Sequence, residues 1–268
     1  MKKIYFLVLM AIVCHGVEAQ FDINSAATNY TQNFDALTSG TWTNNTTLTG
    51  WYVRTDATAS IASYAANTGS TTTAGLYAFG VAGTNPLSDR ALGYGTSNAF
   101  FGASGTGKGY VGWRLKNNTG NTISSLTVTW SGEQWRRDNT VAQSLSLSYQ
   151  TGTTVTALTG GTWTLAGSTF SSLQNTGTAS ALDGNATANT TTGISVVITV
   201  NIPAGEEIML RWEDLNDSGN DHQLAIDDIT VNATAASACT PPATQATSSA
   251  ATSITSNSAT ANWSIATV

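Results

Sequence analysis

The sequence predicts an all-β fold, and three observations support a single antiparallel sandwich. Only 10% of the residues are charged while 41% are hydrophobic. The rest is rich in Thr, Ser, Asn and Gly, a composition that favours strands and turns over helices. Eight Trp, eight Tyr and seven Phe supply large side chains for a core. About ten or more short segments alternate apolar and polar residues, with turns between them, and none shows a helical period.

The individual strands are predicted from this alternation. In residues 110–116, the side chains of Val111, Trp113 and Leu115 share one face, and the polar segment 117–121 forms the turn that follows. Other strands show the same pattern with fewer residues. The predicted strands are 30–35, 48–53, 76–80, 88–93, 110–116, 123–130, 145–149, 161–165, 194–202, 208–213 and 224–231.

The first nineteen residues have the pattern of a secretory signal peptide. Lys2 and Lys3 form a basic start, residues 4–13 are apolar, and the small-residue site Val17-Glu18-Ala19 precedes Gln20. The apolar run is too short to span a bilayer. We therefore expect residues 1–19 to be removed, no membrane span, and a secreted protein that is extracellular or at the cell surface.

Removal of the signal makes the chain more acidic and leaves few reactive side chains. Two lysines and one glutamate are lost, so the formal charge changes from −6 to −7. An acidic protein lacks the positive surface that nucleic acids require, so we expect no nucleic-acid partner. Within the given sequence, Cys239 and His222 become the only cysteine and histidine, so no disulfide is expected within this fragment. Lipid attachment at Cys14 is disfavoured, because Val13 rather than a small residue precedes it.

The C-terminal part of the sequence suggests a domain boundary. We expect the sandwich to occupy residues 20–231 and an Ala/Ser/Thr/Pro-rich linker to occupy residues 232–252. Residues 253–268, with Trp263, resemble the opening strands of a fibronectin type III domain. This resemblance implies a longer chain with downstream domains as partners of the sandwich.

Two short motifs carry a resemblance for the sandwich itself. One is Asn33-Phe34-Asp35 followed by Gly50-Trp51, and the other is the last strand, LAIDDITV at 224–231. Together they resemble the jelly-roll β-sandwich modules of secreted bacterial multidomain proteins, a class that includes MAM domains and family 4/9-type carbohydrate-binding modules. The resemblance implies an antiparallel, concanavalin-like jelly roll whose early and last strands lie side by side. MAM domains carry disulfides and this chain has none, so that relation is the weaker one.

The resemblance implies a non-catalytic accessory or adhesion module, with a polysaccharide or cell-surface glycan as one candidate partner.

No catalytic motif in the sequence is complete. His222 has no G-x-S-x-G partner, the G-x-x-x-x-G-K match at 102–108 is followed by Gly109 instead of Ser or Thr, and no paired-glutamate motif occurs. An alternative stays open, in which this is an enzyme-associated module or a divergent glycan-active hydrolase whose catalytic part lies elsewhere in the full chain.

The patch 133–138 supplies the candidate ligand-binding residues. Trp135 would be an exposed platform for a sugar ring, and Arg136 and Asp138 would be its hydrogen-bond partners. A structural ion-pair cluster is the favoured alternative, with Glu133 pairing with Arg211 across the sheet.

Adjacent acids in the last strand predict a structural calcium site. Asp227 and Asp228 point to opposite sides of a strand, so one of them must be partly buried and needs a partner. Asp35 on the early strand would complete a carboxylate set for calcium. Arg90, Arg211 or backbone amides are an equally open way to neutralise these acids. The loop acids Asp217 and Asp221, with Asn220, are either calcium ligands or solvated.

Overall fold

The computed structural model describes residues 20–81, 89–236 and 248–263, and the predicted all-β class is confirmed. The described residues form seventeen strands and a single short helix, α1 (Asn98–Phe101), which the sequence did not predict. The strands are β1 Phe21–Ile23, β2 Asn29–Gln32, β3 Gly40–Thr41, β4 Trp51–Thr55, β5 Ser63–Asn67, β6 Gly75–Phe79, β7 Ala91–Gly95, β8 Lys108–Asn117, β9 Ile123–Arg137, β10 Ser144–Gly152, β11 Thr164–Ser171, β12 Ser180–Ala181, β13 Thr190–Ile202, β14 Glu207–Leu215, β15 Gln223–Ala235, β16 Ser248–Thr252 and β17 Thr260–Trp263.

Two large sheets account for strands β1 to β15. Sheet 1 has six strands, in which β1 and β4 pair with β8, followed by β14, β10 and β11. Sheet 2 has nine, in which β12 and β13 pair with β9, followed by β15, then β2 and β7, and then β6, β5 and β3. Most pairs are antiparallel as predicted, but β1–β8 and β5–β6 are parallel. This strand order does not by itself establish the jelly-roll connectivity, which stays a prediction.

A column of tryptophans holds the two sheets face to face. Trp51, Trp113 and Trp212 of sheet 1 are fully buried and stacked, with Trp51 at centroid distances of 5.2 Å from Trp113 and 6.0 Å from Trp212. The Trp130 ring of sheet 2 meets the Trp212 ring edge-on at 6.0 Å. Stacked and edge-on aromatic pairs stabilise a core beyond the area they bury. On β8, β9 and β14 these buried tryptophans lie on the face that the sequence pattern predicts.

The last strand of the sandwich is central in sheet 2. β15 pairs with β9 on one side and with the early strand β2 on the other, through Ile229–Asn232 and Asn29–Gln32. The predicted adjacency of early and last strands is therefore present. β15 runs on to Ala235, beyond the boundary predicted at residue 231.

Residues 236–268 form a second compact unit, of which the structure describes a hairpin. β16 (Ser248–Thr252) lies within the predicted linker and pairs with β17 (Thr260–Trp263). The fibronectin type III assignment of 253–268 stays a prediction. The proposed signal peptide, 1–19, lies outside the described residues. Within the described ranges, no helix is long and apolar enough to cross a membrane.

Candidate functional site

A polar cleft of about 590 Å³ lies where β9 and β15 meet the loops around residues 96–98 and 216–221. It is lined by Arg136 and Asp138, two of the three predicted ligand-binding residues. Its other lining residues carry amide, hydroxyl or carboxylate side chains or are glycine, and they include Thr96, Asn98, Asn216, Asn220, Asp221 and Gln223. A site of this composition suits a ligand that both donates and accepts hydrogen bonds.

Arg136 and Asp138 form an ion pair at the edge of the cleft. The Arg136 Nε atom lies 2.5 Å from Asp138 Oδ2, and its Nη1 donates to the carbonyl of Gly69 at 3.1 Å. Both side chains are mostly but not fully buried. This arrangement fixes the guanidinium, so less conformational entropy is lost when a ligand binds.

His222 lies behind the ion pair and holds the chain at Asp138. Its Nδ1 accepts the backbone N–H of Asp138 at 3.1 Å, so Nε2 carries the proton and faces Asn175 Oδ1 at 3.0 Å. The ring is buried, and burial lowers the pKa of His222. His222, the only histidine downstream of the proposed signal peptide, is thus a neutral group that holds the backbone of the cleft residue Asp138 in place.

Asp221 connects the loop at residues 216–221 to Thr96 and Gln143 through hydrogen bonds. Its Oδ2 accepts from the Thr96 hydroxyl at 2.5 Å, and its Oδ1 accepts from Gln143 Nε2 at 3.1 Å and from the Asp217 N–H at 3.0 Å. Burial, with the nearby charge of Asp217, raises the pKa of Asp221 to about 6. A hydrogen bond between Asp217 and Asp221 therefore closes the loop. The sequence analysis had considered calcium binding or exposure to solvent for this loop, but not this internal bond.

We expect Asp221→Asn to stabilise the protein at alkaline pH. The folded-state pKa of Asp221, about 6, lies above the ordinary value of 3.8, so the folded chain holds this proton more tightly than the unfolded chain. The resulting stability is fully present below the ordinary value and is lost as the pH rises through about 6. Asparagine keeps the hydrogen-bonding shape without the charge. After discounting for partial exposure, the variant should gain on the order of 1 kcal/mol at alkaline pH.

Urea unfolding of both proteins at several pH values measures this difference. The gain should shrink to nothing in acid, where both side chains are neutral. A constant difference at all pH values would mean that packing, and not the charge of Asp221, separates the variants.

Trp135, the third predicted ligand-binding residue, is not on the surface. The ring is only 1% exposed, stacks on Phe79 at 5.7 Å, and donates its Nε1 proton to Glu133 Oε2 at 2.8 Å. Gly184 lies against the indole so closely that an added Cβ would come within 2.3 Å of it. The prediction of an exposed stacking platform at Trp135 was wrong, because the segment around residue 184 covers this part of sheet 2.

The predicted ion pair between Glu133 and Arg211 was also wrong, since these residues belong to different sheets. Arg211 instead contacts Glu213 and donates to the Leu158 carbonyl at 2.6 Å. Its guanidinium lies over the rings of Trp163, at 3.7 Å from the centroid, and Tyr110, at 4.8 Å. The charge of Arg211 is thus satisfied on the outer face of sheet 1.

The three predicted calcium ligands occupy different environments. Asp227 is buried and Asp228 is exposed, at a register shift of β15 where Asp228 has a φ of +49°. Asp35 follows β2 and is half-buried, with its Oδ1 accepting the Arg90 N–H at 2.9 Å and its Oδ2 accepting the Asn33 amide at 2.8 Å. Across the part of the chain that the structure describes, no three His, Cys, Asp or Glu side chains gather as a metal site.

Comparison with known proteins gives weak similarities to solved structures. No protein-family model matches the chain, and no curated protein matches it. An arabinose-bound α-L-arabinofuranosidase (MgGH51) is 12% identical, with a TM-score of 0.36, over 81% of this chain and 29% of that one. An exo-β-1,3-galactanase from Phanerochaete chrysosporium, with galactose, is 14% identical, with a TM-score of 0.27, over 77% of this chain and 30% of that one.

An adhesin domain is a third similar structure. The K3 cleaved adhesin domain of Lys-gingipain from Porphyromonas gingivalis is 16% identical, with a TM-score of 0.28, over 56% of this chain and 76% of that domain. The chain spans less than a third of the length of the two glycosidases. Similarities this low do not decide a function, which has to be argued from the cleft.

Proposed function

We propose that the sandwich is a non-catalytic accessory or adhesion module of a secreted protein, and that its polar cleft binds a polysaccharide or cell-surface glycan. The observation that carries this proposal is the composition of the cleft. Amide, hydroxyl, guanidinium and carboxylate groups line it, and these groups match the alternating donors and acceptors of sugar hydroxyls. An apolar ligand would leave these groups without partners, at a cost in affinity.

The cleft is preorganised for such a ligand. Asn216 Nδ2 donates to Asn98 Oδ1 at 2.8 Å and to the Gly102 carbonyl at 2.6 Å, and Gln223 Nε2 donates to the Thr71 carbonyl at 2.7 Å. These bonds fix the amides in orientations that leave other lone pairs and protons for a ligand. Fixed polar groups lose little entropy on binding, so hydrogen bonds alone can support recognition.

The acids of the interior are poorly placed for glycoside hydrolysis. Hydrolysis requires two carboxyl groups on either side of the scissile bond. Glu133 and Asp227 are neighbouring carboxyl groups, but both are buried, and the Trp135 ring that bonds Glu133 is covered by Gly184. A sugar chain cannot reach them without displacing that cover. The burial of these acids favours a binding module over a hydrolase. The proposal also includes secretion of the protein and further domains downstream of the sandwich.

Arg136→Ala should weaken glycan binding by at least about tenfold, because a lost hydrogen bond from a charged group is worth about 1.5–3 kcal/mol. The measurement is a screen against polysaccharides and cell-surface glycans, followed by calorimetry on any that bind. Arg137→Ala is the matched control. Arg137 is the next residue of β9, and its guanidinium donates to the Thr178 carbonyl at 2.7 Å, outside the cleft lining.

Two outcomes would contradict the proposal. Equal binding by both arginine variants would place the glycan site away from the cleft. Turnover of any glycan that disappears on replacing Glu133 or His222 would show that the domain is itself a hydrolase.

A further inference from the structure

The outer face of sheet 2 carries a small buried patch separate from the main core. Trp135, Phe79, Tyr77, Ala91 and Ala225 pack together there. Two acids lie on the same face, since Ala225 pairs with Glu133 in the register of β15 and β9, and Asp227 follows two residues later. Residues two apart along a strand share a face, so the carboxyl groups of Glu133 and Asp227 are diagonal neighbours.

Asp227 is an acid with an unsatisfied oxygen. Its side chain is 1% exposed, and among the described residues its Oδ1 has no hydrogen-bond partner. Burial and the neighbouring charges of Glu133, Asp228 and Asp89 raise the pKa of Asp227 to about 9. Burial likewise raises the pKa of Glu133 to about 7. Buried polar oxygens are nearly always bonded, so an exception requires an explanation.

The covering segment contributes a second unsatisfied oxygen. Asn185 follows Gly184, which packs on the Trp135 ring. The Asn185 Nδ2 donates to the Asp89 carbonyl at 3.0 Å, whereas its Oδ1 is buried and has no partner in the part of the chain that the structure describes. The amide is therefore held through its nitrogen. The charge of Asp89, whose carbonyl the amide bonds, is among those that raise the pKa of Glu133 and of Asp227, so Asp89 links this segment to the two acids.

We propose that Asp227, Glu133 and the Asn185 amide oxygen form a binding site for a hard divalent cation, with calcium as the expected ion. All three ligands are oxygens, which is the preference of calcium, and backbone carbonyls can complete a shell of about six to eight ligands. A cation would satisfy both orphan oxygens and offset the repulsion between the acids.

This ligand set replaces two of the three predicted residues. Both carboxylate oxygens of Asp35 already accept hydrogen bonds, and Asp228 is exposed. Only Asp227 is common to both sets. The site also uses none of the residues that line the polar cleft, so it holds or fails independently of glycan binding.

Terbium luminescence tests the site directly, because Trp135 is a built-in reporter. Its indole N–H donates to Glu133 Oε2 at 2.8 Å, so a terbium ion bound by that carboxylate lies beside an excitable ring. The purified chain, stripped with EDTA, should show sensitised terbium emission that calcium displaces. Trp135→Phe should lose the emission while calcium still raises its melting temperature by several degrees.

Substitutions of the metal-binding residues distinguish this site from the set predicted from the sequence, which was Asp35, Asp227 and Asp228. Glu133→Gln and Asp227→Asn should each weaken terbium binding by at least about tenfold. Asp35→Asn and Asp228→Asn are the matched controls and should bind within about twofold of the parent. In EDTA, Asp227→Asn should be at least as stable as the parent, because it removes a buried acid, and calcium should reverse that order.

Three results would overturn the assignment. One is no sensitised emission together with no bound calcium by elemental analysis, which would mean that the acids are held as a protonated pair. Another is loss of binding in Asp35→Asn or Asp228→Asn but not in Glu133→Gln. The third is a calcium-induced shift in melting temperature that persists unchanged in Asp227→Asn.

Discussion

Replacing Glu207 by alanine should destabilise the sandwich by about 3–5 kcal/mol, because it leaves the Arg114 charge buried without its counter-ion. Arg114 Nε and Nη2 lie 2.9 Å and 2.8 Å from the two carboxylate oxygens of Glu207, a bidentate pair. The two side chains are only 2% and 4% exposed. Glu207 also accepts the Val155 N–H at 2.8 Å, so its loss frees a segment that covers sheet 1. Urea unfolding measures the change.

Two control variants separate the pair itself from simple truncation. The double variant Arg114→Met with Glu207→Leu should recover most of the loss, because an apolar pair of similar volume needs no desolvated charges. Lys108→Ala breaks the pair with Glu213, in which Lys108 is 40% exposed, and should cost less than about 1 kcal/mol. A Glu207→Ala cost as small as that of Lys108→Ala would show that water reaches Arg114.

Three strands of sheet 1, namely β8, β10 and β14, contain strands that the sequence predicted. β8 (Lys108–Asn117) contains the predicted strand 110–116, and the buried side chains of Trp113 and Leu115 follow its alternation. Such a strand buries one face against the other sheet, so period-two alternation appears directly in the sequence. β5 (Ser63–Asn67) was missed because its side chains are mostly exposed and small, and no apolar period marks it.

The last strand shows why alternation alone misplaces residues. The sequence pattern puts Asp227 on the same side as Ile229, but the register shift at Asp228 inserts an extra residue between them. Ile226 and Ile229 therefore both face the main core, and Asp227 faces the outer patch. A bulge of this kind depends on the neighbouring strand and has no signature in a single sequence.

The candidate site was predictable only in part, because most of its residues are brought together by the fold and not by the sequence around them. The charge cluster drew attention to Arg136 and Asp138, which line the cleft, because charged residues are rare in this chain. The other walls of the cleft come from residues such as Asn98 and Asn216, which the strand order alone brings together. Gly184 packs on the Trp135 ring, which bonds Glu133, although the two segments lie about fifty residues apart in the chain, and composition cannot reveal such an approach.

Trp135→Ala should cost about 3–5 kcal/mol of stability, the usual loss for a large aromatic side chain in a core. The substitution removes the stack on Phe79 and the indole proton that Glu133 Oε2 accepts at 2.8 Å. It also leaves a cavity beneath Gly184, which contacts the ring. For a domain of this size the melting temperature should fall by roughly 10 °C. Thermal unfolding in EDTA measures this loss without any contribution from a bound cation.

Trp163→Ala is the matched control, because Trp163 is only half-buried and packs on Arg211 at the outer face of sheet 1. Its removal exposes an already hydrated region, so the loss should be clearly smaller than that of Trp135→Ala. Trp135→Phe should recover part of the Trp135→Ala loss, since a phenyl ring can still stack on Phe79 but cannot donate to Glu133. If Trp135→Ala instead left the melting temperature unchanged and weakened glycan binding, the indole would be exposed in solution. The segment around residue 184 would then be an open cover, and both the buried acid pair and the cation site beneath it would lose their physical basis.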